Sequence, residues 1–127
     1  MEEQEIIAKV RKCVATALGR DEEEVELESV LSRDLEAESI DYLDITFQLE
    51  REFGISIQKD ELFPQKIFQD EAYVKDGAVT EQGLAYLKEK LPFANLDAFA
   101  ADPQVTKVPE LFTVQLLVNF VKTKVAA

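Results

Sequence analysis

The sequence predicts a mainly α-helical domain, and three observations carry that expectation. Apolar residues recur at three- and four-residue spacing over residues 2–18, over residues 39–53 and again from Val114 to Val121. Glycine stands directly after the first two of these stretches, at Gly19 and Gly54, where a left-handed C-terminal cap belongs. No apolar run approaches the roughly 18 residues that would cross a membrane.

The first helix buries Ile6, Ile7, Val10, Cys13, Val14, Ala17 and Leu18 along one face and keeps its charges on the other. The loop that follows, 20–33, is acidic, with Val25, Leu27, Val30 and Leu31 as anchors into the core. The second helix opens near Ser39 and carries two stripes. Ile45, Leu49 and Phe53 form the core face, whereas Ile40, Leu43 and Phe47 lie well around the cylinder with Asp44 and Glu50 close to them. One helix therefore has two apolar surfaces. Ile55 and Ile57 alternate with Ser56 and Gln58, a short extended signal leading to Pro64.

Asp76-Gly77 between short apolar runs predicts a tight hairpin. Thr80 then caps a helix to Leu91 with Leu84, Leu87 and Leu91 on one face, and Pro92 stops it. Asn95 is expected to cap a shorter helix with Leu96 and Phe99 inward, ending before Pro103. Pro103 and Pro109 mark a loop, and Thr113 caps the last helix, whose apolar face is Val114, Leu117, Val118 and Val121. The aromatic residues Phe63, Phe68, Tyr73, Tyr86, Phe93 and Phe99 are read as additional core in preference to a ligand pocket or a docking surface.

Charge narrows the function. The chain of 127 residues has a net charge of −12, and between Arg20 and Glu61 there are 15 acidic residues against 4 basic ones, so the acidity is local to the second helix and its approach. Such a field repels nucleic acid and favours partners with basic patches, acting mainly near contact because the Debye length is about 8 Å in physiological salt. There is no histidine, which excludes a Ser-His-Asp hydrolase, and a single cysteine cannot make a zinc site or an internal disulfide. Cys13 is expected to be a buried thiol without a catalytic role. The acidic start, MEEQEII, lacks the basic and apolar regions of a signal peptide, and a cytoplasmic monomer without stable membrane insertion is expected.

Ser39 sits at the mouth of the second helix beside Glu38. A hydroxyl there is expected to point outward, and free backbone N–H groups with the positive end of the helix dipole would favour an attached phosphate by about 0.3–1 kcal/mol. On composition alone, a serine in this place most often serves as an N-cap.

The stretch Asp34-Leu35-Glu36-Ala37-Glu38-Ser39-Ile40-Asp41 resembles the signature of the acyl carrier protein family, and Leu49-Glu50-Arg51-Glu52-Phe53-Gly54-Ile55 resembles the end of that family's second helix. The resemblance implies that Ser39 carries phosphopantetheine, whose thiol holds acyl groups as thioesters. It also implies that Glu38, Ile40, Asp41, Leu43, Asp44, Phe47 and Glu50 form the partner-docking face. Implied partners are a phosphopantetheinyl transferase and acyl synthases, ligases or acyltransferases with basic docking patches; the chain itself would catalyse nothing.

Glu36 stands where the family usually has glycine, Glu38 replaces its aspartate, Ile40 its leucine, and Arg51 interrupts a usually acidic run. Against the family, the chain is about 40 residues longer before its last helix. The expected architecture is therefore an acyl-carrier-like helical bundle formed by residues 1–58 and 111–127, a single carrier domain with residues 59–110 inserted and packed on it. The insertion would hold one or two helices and a short hairpin. Fatty acid, specialised lipid or polyketide synthesis is the expected setting. The alternatives are a peptidyl or aryl carrier of a nonribosomal pathway and an unmodified acidic protein-interaction module.

Overall fold

A computed structural model describes residues 2–58, 61–63, 66–92, 94 and 96–125. The fold is mainly α-helical. It comprises α1 (Glu3–Leu18), α2 (Ser39–Phe53), α3 (Lys66–Gln69), a two-stranded ribbon of β1 (Val74–Lys75) and β2 (Ala78–Val79), α4 (Glu81–Lys90), α5 (Asp97–Ala101) and α6 (Val114–Val125). Short 3₁₀ runs occupy Glu22–Glu24 and Val105–Leu111.

Helix α1 lies against both α2 and α6. Its predicted face is buried at Ile6, Val10, Cys13 and Val14, while Ile7, Ala17 and Leu18 are only partly covered. Gly19, at φ 65°, ends the helix by returning its N–H to the Ala15 carbonyl. The side chain of Arg11 then reaches off the helix and donates to the carbonyls of Val25, at 2.6 Å, and Glu22, at 2.7 Å. The acidic loop is thereby pinned to α1.

The same loop completes the start of α6. The first N–H groups of a helix have no partner within it. Here Val114 donates to the Ser29 carbonyl at 3.0 Å and Gln115 to that of Leu27 at 2.9 Å, while the Leu116 N–H donates to Thr113 Oγ1 at 3.1 Å. Thr113 is the cap the sequence predicts. Besides Val114, Leu117, Val118 and Val121, the helix also buries Leu116 and Phe120, so two of its faces are covered.

Between α2 and α6 the hairpin forms as expected. Asp76 and Gly77 both take positive φ, 54° and 80°, the backbone a two-residue hairpin turn requires, and Val74 pairs with Val79 and Lys75 with Ala78. Thr80 caps α4 by accepting from the Gly83 N–H at 3.1 Å. Leu96 and Phe99 are buried in the α5 region, while the expected cap at Asn95 lies outside the described residues.

Three expectations need correction. The Pro103–Pro109 segment is not an open loop: Val105–Leu111 is a 3₁₀ run with Pro109 inside it, because proline's fixed φ suits that geometry and the buried Val108 anchors it. The insertion, expected to hold one or two helices, holds the short α3 besides α4 and α5, with Ile67 fully buried. Ile55 and Ile57 alternate in burial with the exposed Ser56 and Gln58, but no strand forms there.

One cluster of buried side chains joins Val10, Val14, Ile45, Leu49, Leu117 and Val121 with Leu62, Ile67, Tyr86, Leu87, Leu91, Leu96 and Phe99. Beyond it, Lys124 pairs with Glu61 at 2.6 Å and Arg33 with Glu110 at 3.0 Å. Among the described residues, no helix is long and apolar enough to cross a membrane.

Candidate functional site

The candidate site is the first half of α2 and the loop that leads into it. Glu38 has extended backbone, φ −105° and ψ 172°, and Ser39 is the first helical residue. The N-cap is therefore Glu38, one residue before the serine. The Asp41 carboxylate reaches back to accept from the Glu38 N–H at 2.8 Å, which fixes the chain's entry into the helix. The acidic pair at i and i+3 is the sequence signal for this arrangement. The direction of the Ser39 hydroxyl lies outside the described side chains.

Along α2 the two predicted stripes separate. Ile45 and Leu49 are fully buried, and Phe53 is half-buried where a full core position was expected, because it lies at the helix end. On the other side Ile40, Leu43 and Phe47 are 74%, 67% and 61% exposed. Three large apolar side chains at i, i+3 and i+7 thus stand in water. Glu38 and Asp44 are exposed beside them, and Asp41 is half-buried through its capping role. Glu50 is also half-buried, and its carboxylate accepts from the Ile57 N–H at 3.2 Å, tying down the chain after the helix.

Tyr42, one turn beyond Ser39, was not singled out by periodicity. Its ring lies 4.7 Å from that of Phe63, which lies 5.1 Å from Phe112, so an aromatic run links α2 to the entry of α6. Burial, with Asp41 acting in the same direction, pushes the Tyr42 phenol up, against an opposing hydrogen bond with Ser32. In the approach loop, the Val30 N–H, at 2.8 Å, and Arg33 hold the Asp34 carboxyl below the usual carboxylate range.

Cys13 is buried beneath α2, its thiol donating to the Gln48 carbonyl at 3.5 Å. Burial and the nearby Glu52 raise it to about 11. It stays protonated at neutral pH and is no nucleophile. Among the described residues, no group of three or more His, Cys, Asp or Glu side chains is arranged to hold a metal ion.

The aromatic residues after α2 divide. Tyr86 and Phe99 are buried, and Tyr73 stacks on Tyr86 with ring centroids 4.6 Å apart, as additional core. Phe63 is half-buried; Phe68 is 48% exposed and does not serve the core, and Phe93 lies outside the described residues. A surface cavity of about 360 Å³ opens where α4 leads toward α5, between Lys88, Leu91, Pro92, Ala94, Leu96 and Asp97.

Comparison with known proteins bears on this helix. Residues 8–66 match the family model described as a phosphopantetheine attachment site. The chain is 37% identical to the acyl carrier protein of Petrotoga mobilis over 62 residues, which are 49% of this chain and 73% of that protein. It belongs to the acyl carrier protein family. Identity to the acyl carrier protein of Rubrobacter xylanophilus is 39% over 61 residues, 48% of this chain and 75% of the relative. With that of Thermosynechococcus vestitus it is 39% over 70 residues, 55% and 86%. No solved structure matches the chain significantly.

The prosthetic group of this carrier is covalently attached phosphopantetheine. The mouth of α2 fits it, since a hydroxyl residue opens a 15-residue helix there between two exposed neighbours, Glu38 and Ile40. When bound, the group supplies a thiol at the end of a flexible arm. The family match ends at residue 66, before the ribbon, α4, α5 and α6.

Proposed function

We propose that Ser39 is the attachment residue and that this carrier holds acyl intermediates as thioesters on its arm, in fatty acid, specialised lipid or polyketide synthesis. One observation carries the reading furthest: the serine that opens α2 stands at the head of a stripe, Ile40, Leu43 and Phe47, that the fold leaves in water. An apolar stripe rimmed by carboxylates is the surface a basic partner with an apolar centre would cover.

In this reading the chain catalyses nothing. A phosphopantetheinyl transferase attaches the arm, and acyl synthases, ligases or acyltransferases with basic patches load and unload it. They dock on Glu38, Ile40, Leu43, Asp44 and Phe47. Asp41 and Glu50 contribute charge to that face while their carboxylates also hold the backbone at the two ends of α2. The chain acts as a cytoplasmic monomer and as a single carrier domain, with residues 59–110 packed on the bundle of 1–58 and 111–127. The shared cluster of buried side chains supports that division of labour.

The test is the intact mass of the protein after co-expression with a broad-specificity phosphopantetheinyl transferase, beside a Ser39→Ala variant. The expected result is a gain of one phosphopantetheine in the wild type alone. A folded wild type that gains nothing while a control carrier is modified would replace this reading with that of an unmodified acidic interaction module.

A further inference from the structure

The backbone just before Ser39 is held in a conformation that its own residue disfavours. Glu36 has φ 57°, in the left-handed region where a β-carbon is crowded against the following carbonyl. Such a residue persists only where its surroundings fix it.

Part of the fixing is visible on either side. Leu35 is buried and its N–H donates to the Val30 carbonyl at 3.3 Å, while the Ala37 N–H donates to Leu31 at 2.9 Å. The remaining hold comes from Arg20, the residue after the α1 cap. Its Nε donates to the Leu35 carbonyl at 3.2 Å, its Nη1 meets Glu24 Oε2 at 2.8 Å, and its Nη2 lies 3.6 Å from Glu36 Oε1.

Two guanidinium nitrogens therefore donate hydrogen bonds, and the third faces the Glu36 carboxylate as an ion pair. Glu24 in turn accepts from the Asp21 N–H at 3.4 Å, which fixes the far side of the fork. Glu36 is highly exposed, so its ion pair alone is weak. The directional grip is the bond to the Leu35 carbonyl, made by a side chain that is only 27% exposed. A lysine in the same place would provide one point charge and could not span all three oxygens.

We propose that Arg20 is a positioning residue for the modification of Ser39: it clamps the Leu35–Glu36 backbone in the left-handed turn that delivers the serine at the mouth of α2. The inference rests on Ser39 being the attachment residue. Arg20 touches no reacting atom. It acts by keeping the approach loop in the one form a transferase docks, so its loss lowers the fraction of carrier that is competent to bind.

That mechanism has a kinetic signature. A smaller competent fraction raises the apparent KM for the carrier and leaves kcat in place. The expected rise in Arg20→Gln is roughly tenfold, the factor that the intrinsic penalty of a left-handed non-glycine residue corresponds to. Glycine carries no such penalty. Glu36→Gly placed in the Arg20→Gln background is therefore expected to bring KM most of the way back.

The experiment measures transfer of phosphopantetheine from coenzyme A by a broad-specificity transferase, read by intact mass against carrier concentration. It uses the wild type, Arg20→Gln, Arg20→Lys and the Arg20→Gln/Glu36→Gly pair, with folding checked by circular dichroism. Arg20→Lys keeps the charge, loses the fork, and serves if Arg20→Gln does not fold. Amide hydrogen exchange at Ala37 gives a second readout, expected to accelerate in the single variants and to slow again in the pair.

An unmodified wild type strikes at Ser39 and not at Arg20. With the wild type modified, an unchanged KM in the folded single variants overturns the proposal. So does a rise in KM that Glu36→Gly leaves in place.

Discussion

Ile45 and Phe47 lie two residues apart on α2 and have opposite surroundings: Ile45 is fully buried against the core, and Phe47 is 61% exposed. The helix turns about 100° per residue, so two positions suffice to carry a side chain from the interior to the water. The larger apolar residue is the one left outside. This is the relationship expected of a helix whose inner face belongs to the fold and whose outer face belongs to a partner.

Stability and docking should therefore respond to different residues. Ile45→Ala is expected to cost about 2–5 kcal/mol, the range for truncating a buried aliphatic side chain. Phe47→Ala should stay within about 0.5 kcal/mol of wild type in stability, as exposed substitutions do. It should nevertheless slow modification by the transferase. Half-buried Phe53 falls between, at about 2 kcal/mol, below the ~3–5 kcal/mol of a fully buried phenylalanine. Urea unfolding of the three variants checks the order, and a full core penalty at Phe47 would remove it from the docking face.

Gly83, in the first turn of α4, is a packing requirement. A β-carbon there would press on the Tyr73 carbonyl oxygen and on Val79 Cγ1, closer than atoms pack. In an open helix, glycine to alanine gains up to about 1 kcal/mol. Here the sign should reverse, with Gly83→Ala losing about 1–3 kcal/mol through overpacking against the hairpin. Thermal unfolding decides the sign directly.

Glu61 gives the chain a defined acid sensitivity. Burial pushes its carboxyl up, but Lys124, 2.6 Å away, and the Gln58 N–H, at 2.8 Å, outweigh burial and hold it below the usual range. A group whose folded pKa is depressed contributes stability above its unfolded value, near 4.3 for glutamate, and loses it as pH falls through the folded pKa. Glu61→Gln should thus be less stable than wild type at pH 7, by on the order of 1 kcal/mol for a partly covered surface pair. The two should converge as pH falls through the folded pKa of Glu61. Urea midpoints from pH 7 to pH 2.5 test this; a gap independent of pH would assign the effect to packing alone.

Several features of the fold and of the candidate site were legible in the sequence. Ile40, Leu43 and Phe47 separate from Ile45 and Leu49 by helical period alone, and the structure places the two sets in water and in the core. Asp76-Gly77 needs positive φ at two successive residues, and those two residue types announce it. Thr80 and Thr113 cap the helices they precede because a hydroxyl at that position reaches an N–H two or three residues on. All of these depend on neighbours within one or two turns.

The amino-acid sequence by itself determined α1, α2, α4, α5 and α6, the hairpin and the two faces of α2, since each follows from local spacing and local hydrogen bonding, but neither α3 nor the 3₁₀ run Val105–Leu111. Tertiary structure decided what meets across the chain. Leu116 and Phe120 become core only because a second surface covers α6, and Leu35 only because its loop folds inward. Glu50 and Asp41, read as free docking charges, are also backbone anchors, and which carboxylates are so used follows from geometry that acidity does not encode. Arg20 and Leu35 stand 15 residues apart, and no periodicity links them. A single long side chain acquires its role from the backbone that packing brings within its reach.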